Sequence, residues 1–168
     1  MALIPSLNPR IIEALHIDAF TLADRVRTCF EALRHQNSMS KIPKASEDSA
    51  LDDDEDLARV RLNCEALRAT TRVMHCLAWL LNQRAFFAGE LSELQLRRHG
   101  RLIANFPLGD PGILADLPFE AQVCIHESEK LYGRIQRLED YWRGKPSLSH
   151  SAVQQLRERI ANEVASLH

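Results

Sequence analysis

The chain has 168 residues, with 21 Lys and Arg against 23 Asp and Glu, and 45% of its residues are hydrophobic. This length fits one domain with a sizeable core, and the near balance of charge argues against a dedicated nucleic-acid binder, which usually carries a basic face. Leu, Ala, Arg and Glu dominate and are strong helix formers. Gly and Pro cluster in a few places, so we expect long uninterrupted helices.

Cysteine usage and hydropathy point to the cytoplasm. The four cysteines lie far apart, and neither a Cys-x-x-Cys pair nor a zinc-finger spacing occurs. We therefore expect each of them to behave as a small buried hydrophobic residue. No signal peptide is recognisable at the start of the sequence, and the longest uncharged apolar run, 73–83, is too short to span a membrane.

The first long helix is predicted to begin at Asn8 and Pro9, with Asn as the cap and Pro in the first turn. Apolar residues then recur at steps of three and four until the helix ends near Gln36. They are Ile12, Leu15, Ala19, Leu22, Val26, Cys29 and Leu33. The Ser-containing segment 37–51 is interpreted as a linker. The acidic run 52–56 is then predicted to open the second helix, where carboxylates offset the positive end of the helix dipole.

The second helix carries the longest pattern in the chain. A repeat averaging 3.5 residues runs through Leu57, Val60, Cys64, Leu67, Thr71, Met74, Ala78, Leu81 and Ala85. Such a repeat is typical of a seam between packed helices, so these residues are predicted to face the bundle. The helix is expected to stop at Gly89 in a left-handed conformation.

The second half of this helix is apolar on all sides and must be covered all round. Other helices of the same chain can supply that cover, or a second copy can supply it across a homodimer interface. The residues that would line the dimer interface are Val73, Leu77, Leu80, Phe86 and Phe87.

After Gly89, the sequence predicts a short helix, a loop and a third long helix. Ser92 and Gln95 form a capping box that opens a helix extending to about Ala104. The Pro- and Gly-containing stretch 106–117 is predicted to be a loop, and the third long helix follows Pro118 and ends near Gly144. Its apolar stripe consists of Cys124, Ser128, Leu131, Ile135, Leu138 and Trp142.

A last amphipathic helix is predicted over residues 149–166. Its apolar positions are Val153, Leu156, Ile160 and Val164 or Leu167. The predicted fold is therefore all-α: an antiparallel three-helix bundle of long helices with a short helix and an amphipathic C-terminal helix. We expect a single domain over 1–168, with a bundle core at about 8–143 and a C-terminal segment at 145–168.

Catalytic and metal-binding motifs are weak. Glu13 and His16 have the Glu-x-x-His spacing of di-iron bundles, but no second such pair occurs. His75 and Cys76 are adjacent on a helix and point in different directions, so they are poorly placed to share a metal. The sequence also lacks a Gly-rich phosphate loop, a nucleophile elbow and a zincin motif. We expect no catalytic residues, no metal and no cofactor.

Two segments are candidates for contact with a partner protein. Arg97, Arg98 and Arg101 form a basic cluster, which is either the exposed face of a short helix or a docking patch for an acidic protein surface. Leu156 and Ile160 lie in the C-terminal segment. That segment is either a packed final helix or a helix that lies in a partner's groove.

Five stretches of sequence resemble a known family. Residues 65–72 (EALRATTR), residues 78–85 (AWLLNQRA) and the Ala88-Gly89-Glu90 that follows resemble the signature of the RcdA family, the bacterial regulators of CtrA degradation. Residues 20–26 (FTLADRV) and 128–135 (SEKLYGRI) agree with the same family. The resemblance spans the three long helices and leaves out the linker 37–51 and the tail 145–168.

The resemblance implies a dimeric three-helix bundle without catalytic residues. It also implies a non-enzymatic adaptor that helps the ClpXP protease capture cell-cycle regulators of the CtrA type. Family members work with the response regulator CpdR and sometimes with the cyclic-di-GMP effector PopA, and they are cytoplasmic with a transient stay at the cell pole. Family members are thought to deliver substrates through a flexible C-terminal region, whereas the pattern over 149–166 here is regular. The alternative is a helical regulator that binds a transcription factor or a signalling protein stoichiometrically, without a protease.

Overall fold

A computed structural model describes residues 7–39 and 49–144. Within those ranges every regular element is a helix, which confirms the all-α prediction. The helices are α1 (Pro9–Met39), α2 (Ser49–Phe87), α3 (Glu93–His99), α4 (Pro111–Ala115) and α5 (Phe119–Trp142). The predicted C-terminal helix over 149–166 lies outside the described residues.

Ion pairs between the long helices show how they run relative to one another. Glu13 near the start of α1 pairs with Arg84 near the end of α2 at 2.8 Å, so these two helices are antiparallel. Arg25 of α1 pairs with Glu127 of α5 at 2.6 Å, while Asp18 pairs with Arg134 at 3.8 Å. The residue later in α1 therefore pairs with the residue earlier in α5, so α5 is also antiparallel to α1.

The predicted apolar stripes of α1 and α5 form most of their buried faces. In α1, Ile12, Leu15, Ala19, Leu22 and Val26 are buried. Cys29 and Leu33 are only half-buried, and Phe30 takes the inner position beside them. In α5 the stripe is buried except for the half-buried Leu138.

The predicted orientation of α2 is wrong, because its 3.5-residue stripe faces away from the bundle. Leu67 is 68% exposed, and Val60 and Met74 are each 56% exposed. The buried face of α2 lies on the opposite side. Its apolar members are Leu62, Ala69, Val73, Cys76, Trp79 and Leu80. Both faces repeat about every seven residues, and periodicity alone does not distinguish the one that packs inward.

The predicted boundaries shift in three places. Helix α1 extends to Met39 and α2 begins at Ser49, so both helices enter the predicted linker 37–51. Helix α3 ends at His99 rather than near Ala104, because Gly100 caps it by donating its N–H to the Leu96 carbonyl at 2.8 Å.

The third shift is in the predicted loop 106–117, which contains α4. Asp110 caps this helix by accepting the Gly112 N–H at 2.9 Å, and Pro111 occupies its first turn. The capping box of Ser92 and Gln95 is present as predicted. Gly89 has a φ of 77°, which confirms the left-handed stop after α2.

Candidate interaction surfaces

The residues predicted to line a dimer interface occupy three different environments. Val73 and Leu80 are buried in the chain's own core, so their assignment to an interface is corrected: packing of α1 and α5 on α2 already covers them. Leu77 and Phe86 are half-buried and pack against that core. Phe87 is 37% exposed, and its ring centroid lies 5.5 Å from that of Phe86.

A different apolar surface of α2 is uncovered, and we call it the outer stripe. It consists of Leu57, Val60, Cys64, Leu67, Met74 and Leu81, all of which are exposed. Monomeric soluble proteins rarely expose a contiguous apolar surface along a whole helix. The 3.5-residue repeat had identified these residues as a contact surface, but only the packing of α1 and α5 shows that this surface lies outside the bundle.

A groove runs between α1 and α2 on the side away from α5. Its main cavity has a volume of about 730 Å³ and is lined by Phe20, Val26 and Phe30 of α1 and by Ala66, Leu67 and Met74 of α2. A second cavity of about 640 Å³ lies between the start of α1 and the end of α2, lined by Ile12, Leu81 and Ala85 among others. We call the two cavities together the α1/α2 groove.

The basic cluster is divided between anchored and exposed residues. Arg97 lies over the Trp142 ring at 4.9 Å and pairs with Glu93 at 2.9 Å. Arg98 and Arg101 are exposed. Arg143, which follows α5, adds a cation that the sequence pattern had not connected to this cluster. Its guanidinium lies 5.4 Å from the centroid of the Trp142 ring. Arg98 and Arg101 are therefore the members best placed to meet a partner.

Two charged residues of α2 are, by contrast, buried and contribute to the fold.

 Glu65 and Arg72 are each only 1% exposed, although both belong to the block that carries the family resemblance. The Arg72 guanidinium donates to the Ser128 hydroxyl and to the Pro107 carbonyl, both at 2.7 Å. It also lies 5.2 Å from the centroid of the Phe106 ring. Arg72 thereby fastens the loop before α4 to the bundle.

Acidic residues of α5 hold the same loop from the other side. Glu129 lies 3.6 Å from Arg72 and accepts the Gly109 N–H at 2.9 Å. Glu139 accepts the Leu102 N–H at 3.1 Å and pairs with Arg143 at 2.8 Å. Burial lowers the pKa of the Arg72 guanidinium, and the carboxylates of Glu129 and Glu65 oppose that shift. Hydrogen bonds to charged groups are among the stronger ones, so residues 102–109 are held as a fixed surface.

The remaining predicted site residues do not form a ligand site in the part of the chain that is described. Glu13 pairs with Arg84 across α1 and α2. Among residues 7–39 and 49–144, no group of three or more His, Cys, Asp and Glu is arranged to hold a metal ion. Leu156 and Ile160 lie outside the described residues. No helix in the described ranges is long and apolar enough to cross a membrane.

The described residues form an all-α bundle. Its candidate sites are surfaces for contact with other proteins or with a further helix of the same chain. The chain belongs to the family described as protein of unknown function (DUF1465), which it matches over residues 4–164. The comparisons with curated proteins and with solved structures returned no match.

Proposed function

We propose that this protein is a non-enzymatic adaptor of regulated proteolysis, of the kind that the resemblance to the RcdA family implies. In this role it helps ClpXP capture CtrA-type cell-cycle regulators together with a CpdR-type response regulator. An adaptor of this kind accelerates degradation by tethering, because it raises the effective concentration of the substrate near the protease. The proposed site of action is the cytoplasm, with a transient stay at the cell pole.

The observation that carries the proposal is the outer stripe. Its apolar side chains extend from Leu57 to Leu81, and Leu67 at 68% is the most exposed of them. Burying such a surface against another protein is favourable by about 25 cal/mol per Å² of apolar area. The exposed Arg98 and Arg101 add a second surface, with the charge suited to an acidic partner. Two separate surfaces allow the bundle to associate with a second copy through one and with an acidic partner through the other.

A homodimer is part of the proposal, and we assign its interface to the outer stripe. Val60 is 56% exposed and does not line the α1/α2 groove. Val60→Asp should therefore prevent self-association while leaving the bundle folded. Light scattering at several protein concentrations tests this interface, and a concentration-independent monomer mass for the unsubstituted protein would remove the dimer from the proposal.

The degradation assay tests the adaptor role directly. A tagged CtrA-type substrate is incubated with purified ClpXP and CpdR, with and without catalytic amounts of this protein. Faster loss of the substrate is expected. No acceleration across several candidate substrates would overturn the adaptor proposal.

Charge-reversal variants test the basic cluster in the same assay. Arg98→Glu/Arg101→Glu should reduce the acceleration, because both side chains are exposed and available to an acidic partner. Arg134→Glu/Arg137→Glu is the matched control, since it makes the same change in charge on an exposed part of α5. The Arg134 pair with Asp18 is itself exposed and contributes little to stability. Equal loss in both double variants would indicate a general charge effect and would contradict a specific patch.

The alternative function is stoichiometric binding of a transcription factor or signalling protein without a protease. The outer stripe and the basic cluster suit this role as well. The two functions differ in dose: an adaptor acts at substoichiometric amounts, whereas a sequestering partner saturates at one to one. Titration of the protein into the degradation assay and into a binding assay with the same target separates them.

A further inference from the structure

The α1/α2 groove lies between two antiparallel helices and opens on the side away from α5. Its main cavity is largely apolar, and the Glu13–Arg84 ion pair lines its second cavity. Phe20 is 66% exposed and Met74 56% exposed, so large apolar side chains line the groove without covering it. Two antiparallel helices with an open apolar groove offer the seat that a further helix occupies in a four-helix bundle. We propose that residues 149–167 of the same chain dock in this groove as an amphipathic helix.

The position at which the described chain ends favours this occupant. Arg134 of α5 lies level with Asp18 of α1, and Trp142 lies about two helical turns beyond Arg134. The end of α5 is therefore close to the level of Pro9, where α1 begins and α2 ends. Gly144, with a φ of 65°, turns the chain out of the helix at this point. The C-terminal segment thus leaves α5 at the same level as the groove end formed by Ile12, Leu81 and Ala85, but on the other side of α1 and α2. The steps from Gly144 to residue 149 span at most about 18 Å when extended, which is enough to pass the end of the bundle because packed helices lie about 8–10 Å apart.

The length of the segment matches the length of the groove. From Ile12 to Phe30, α1 rises about 27 Å at ~1.5 Å per residue. A helix over residues 149–167 spans about 27 Å by the same measure. Residues 145–148 remain to carry the chain from the end of α5 to the start of the groove.

The sequence of the segment has the pattern that the groove requires. Val153, Leu156, Ile160, Val164 and Leu167 recur at steps of three and four. This spacing places all five side chains on one face of a helix. In the proposed orientation the segment runs parallel to α1 and antiparallel to α2. Attachment to the same chain also favours docking, because a short tether gives an effective concentration in the millimolar range.

Docking of the segment is separate from the proposed dimer and from the adaptor role. The outer stripe faces away from the bundle, while the groove lies between α1 and α2, and the two surfaces share Leu67, Met74 and Leu81 at their border. Phe20 belongs to the groove alone, and Val60 to the outer stripe alone. Substitutions of these two residues therefore distinguish the surfaces.

A labelled synthetic peptide of residues 149–168 tests the proposal with full-length protein. In the variant Leu156→Asp/Ile160→Asp, the chain's own C-terminal segment no longer competes with the peptide for the groove. The peptide should therefore bind this variant about tenfold more tightly than it binds the unsubstituted protein. Adding Phe20→Asp to that variant should abolish the gain, and adding Val60→Asp should leave it unchanged. Circular dichroism checks that each variant keeps its helices. Equal peptide affinity for the unsubstituted protein and the tail variant, or equal effects of Phe20→Asp and Val60→Asp, would overturn the proposal.

Hydrogen exchange of the full chain supplies a second measurement. Backbone amides of residues 153–164 should be protected, and Phe20→Asp should remove that protection. In Val60→Asp protein, which lacks the proposed dimer contact, the protection should persist and be independent of protein concentration. Absence of protection would overturn the proposal. Protection that rises with concentration would exclude docking within one chain and would indicate the segment of a second copy as the occupant of the groove.

Discussion

Each of the two faces of α2 carries residues that are unusual for its environment. The inward face buries the charged side chains of Glu65 and Arg72 and the amide of Gln83. The outward face exposes Leu67 and Met74. The buried charges are explained by their contacts, since Arg72 joins the loop before α4 to α5. The exposed apolar residues have no contact within the described bundle that explains them, and we infer that their partners lie elsewhere.

This comparison separates what α2 does for the fold from what it offers to other surfaces. Substitutions on the inward face should change stability, and substitutions on the outward face should change association. Each prediction below tests that separation, starting with the largest expected effect.

Leu80 and Leu81 are adjacent residues of the same type in different environments on α2. Leu80 is fully buried and Leu81 is 50% exposed. Leu80→Ala should lower the free energy of unfolding by about 4 kcal/mol, because it leaves a cavity in the core. Leu81→Ala should lower it by about 0.5 kcal/mol, as is usual for surface sites. Urea denaturation measures both values, and equal losses would contradict the assignment of the two residues to different faces.

Arg72→Ala should lower the free energy of unfolding by about 3 kcal/mol, because it leaves Glu129 and the Ser128 hydroxyl without their buried partner. The Gly109 amide should also exchange faster, since the loop loses its anchor. The control is Arg59→Ala, which removes only a surface pair with Asp56 at 3.3 Å and should cost about 0.5 kcal/mol. A change for Arg72→Ala no larger than that of the control would show that this buried contact is not structural.

Gly89 and Gly133 should respond to Ala with opposite signs. Gly89 has a φ of 77°, so a side chain there adopts a left-handed conformation at a cost of about 1 kcal/mol. Gly133 lies inside α5, and a Cβ there meets its nearest atom, Arg137 Nη1, at 3.6 Å. Gly133→Ala should therefore stabilise the protein by about 0.5 kcal/mol. Thermal denaturation of the two variants checks the signs, and stabilisation by Gly89→Ala would contradict the left-handed stop after α2.

The cysteine thiols should also differ between the two faces of α2, in their rate of alkylation in the native protein. Burial raises the pKa of Cys76 on the inward face to about 12, and raises that of the half-buried Cys29 to about 11. Cys64 is exposed on the outer stripe. Because the thiolate is the reactive form, alkylation of the native protein near pH 8 should label Cys64 first. Mass spectrometry after a short reaction identifies the site, and faster labelling of Cys76 would contradict its burial.

High pH should weaken the fold through the thiols of Cys76 and Cys29. Their pKa values are raised above the ordinary value of 9.0 in the folded protein. The contribution to stability is therefore full below about pH 9 and is lost as the pH rises towards 12. Cys76→Ala should make the decline over this range less steep, which pH-dependent urea denaturation measures. An unchanged pH dependence would show that Cys76 ionises as easily in the folded chain as in the unfolded one.

Much of the fold was predictable because it follows from local chemistry. The cap at Ser92 and the stop at Gly89 are set by neighbouring backbone groups, and both are present as predicted. The apolar period of α1 identified its buried face from Ile12 to Val26. Helix α4 was missed because Pro111 and Gly112 signal a loop, while the single cap at Asp110 is enough to form one short helix.

The candidate surfaces were less predictable because they depend on which residues the other helices cover. Val73 and Leu80 were assigned to an interface, but packing against α1 and α5 buries them. Arg97 was grouped with Arg98 and Arg101, but its contact with Trp142 of α5 sets it apart. Each of these differences arises from a contact between residues that are distant in the chain.

The sequence by itself determined that this protein is all-helical, where most of its long helices begin and end, and which residues of each helix share a face. These properties depend on periodicity, capping groups and glycine conformations, all of which act within a few residues. The tertiary structure alone decided that the outer stripe of α2 faces outward and that Arg72 is buried against Ser128. The reason is physical: a face of α2 is inward only because α1 and α5 pack against it, and that packing is a property of all three helices together.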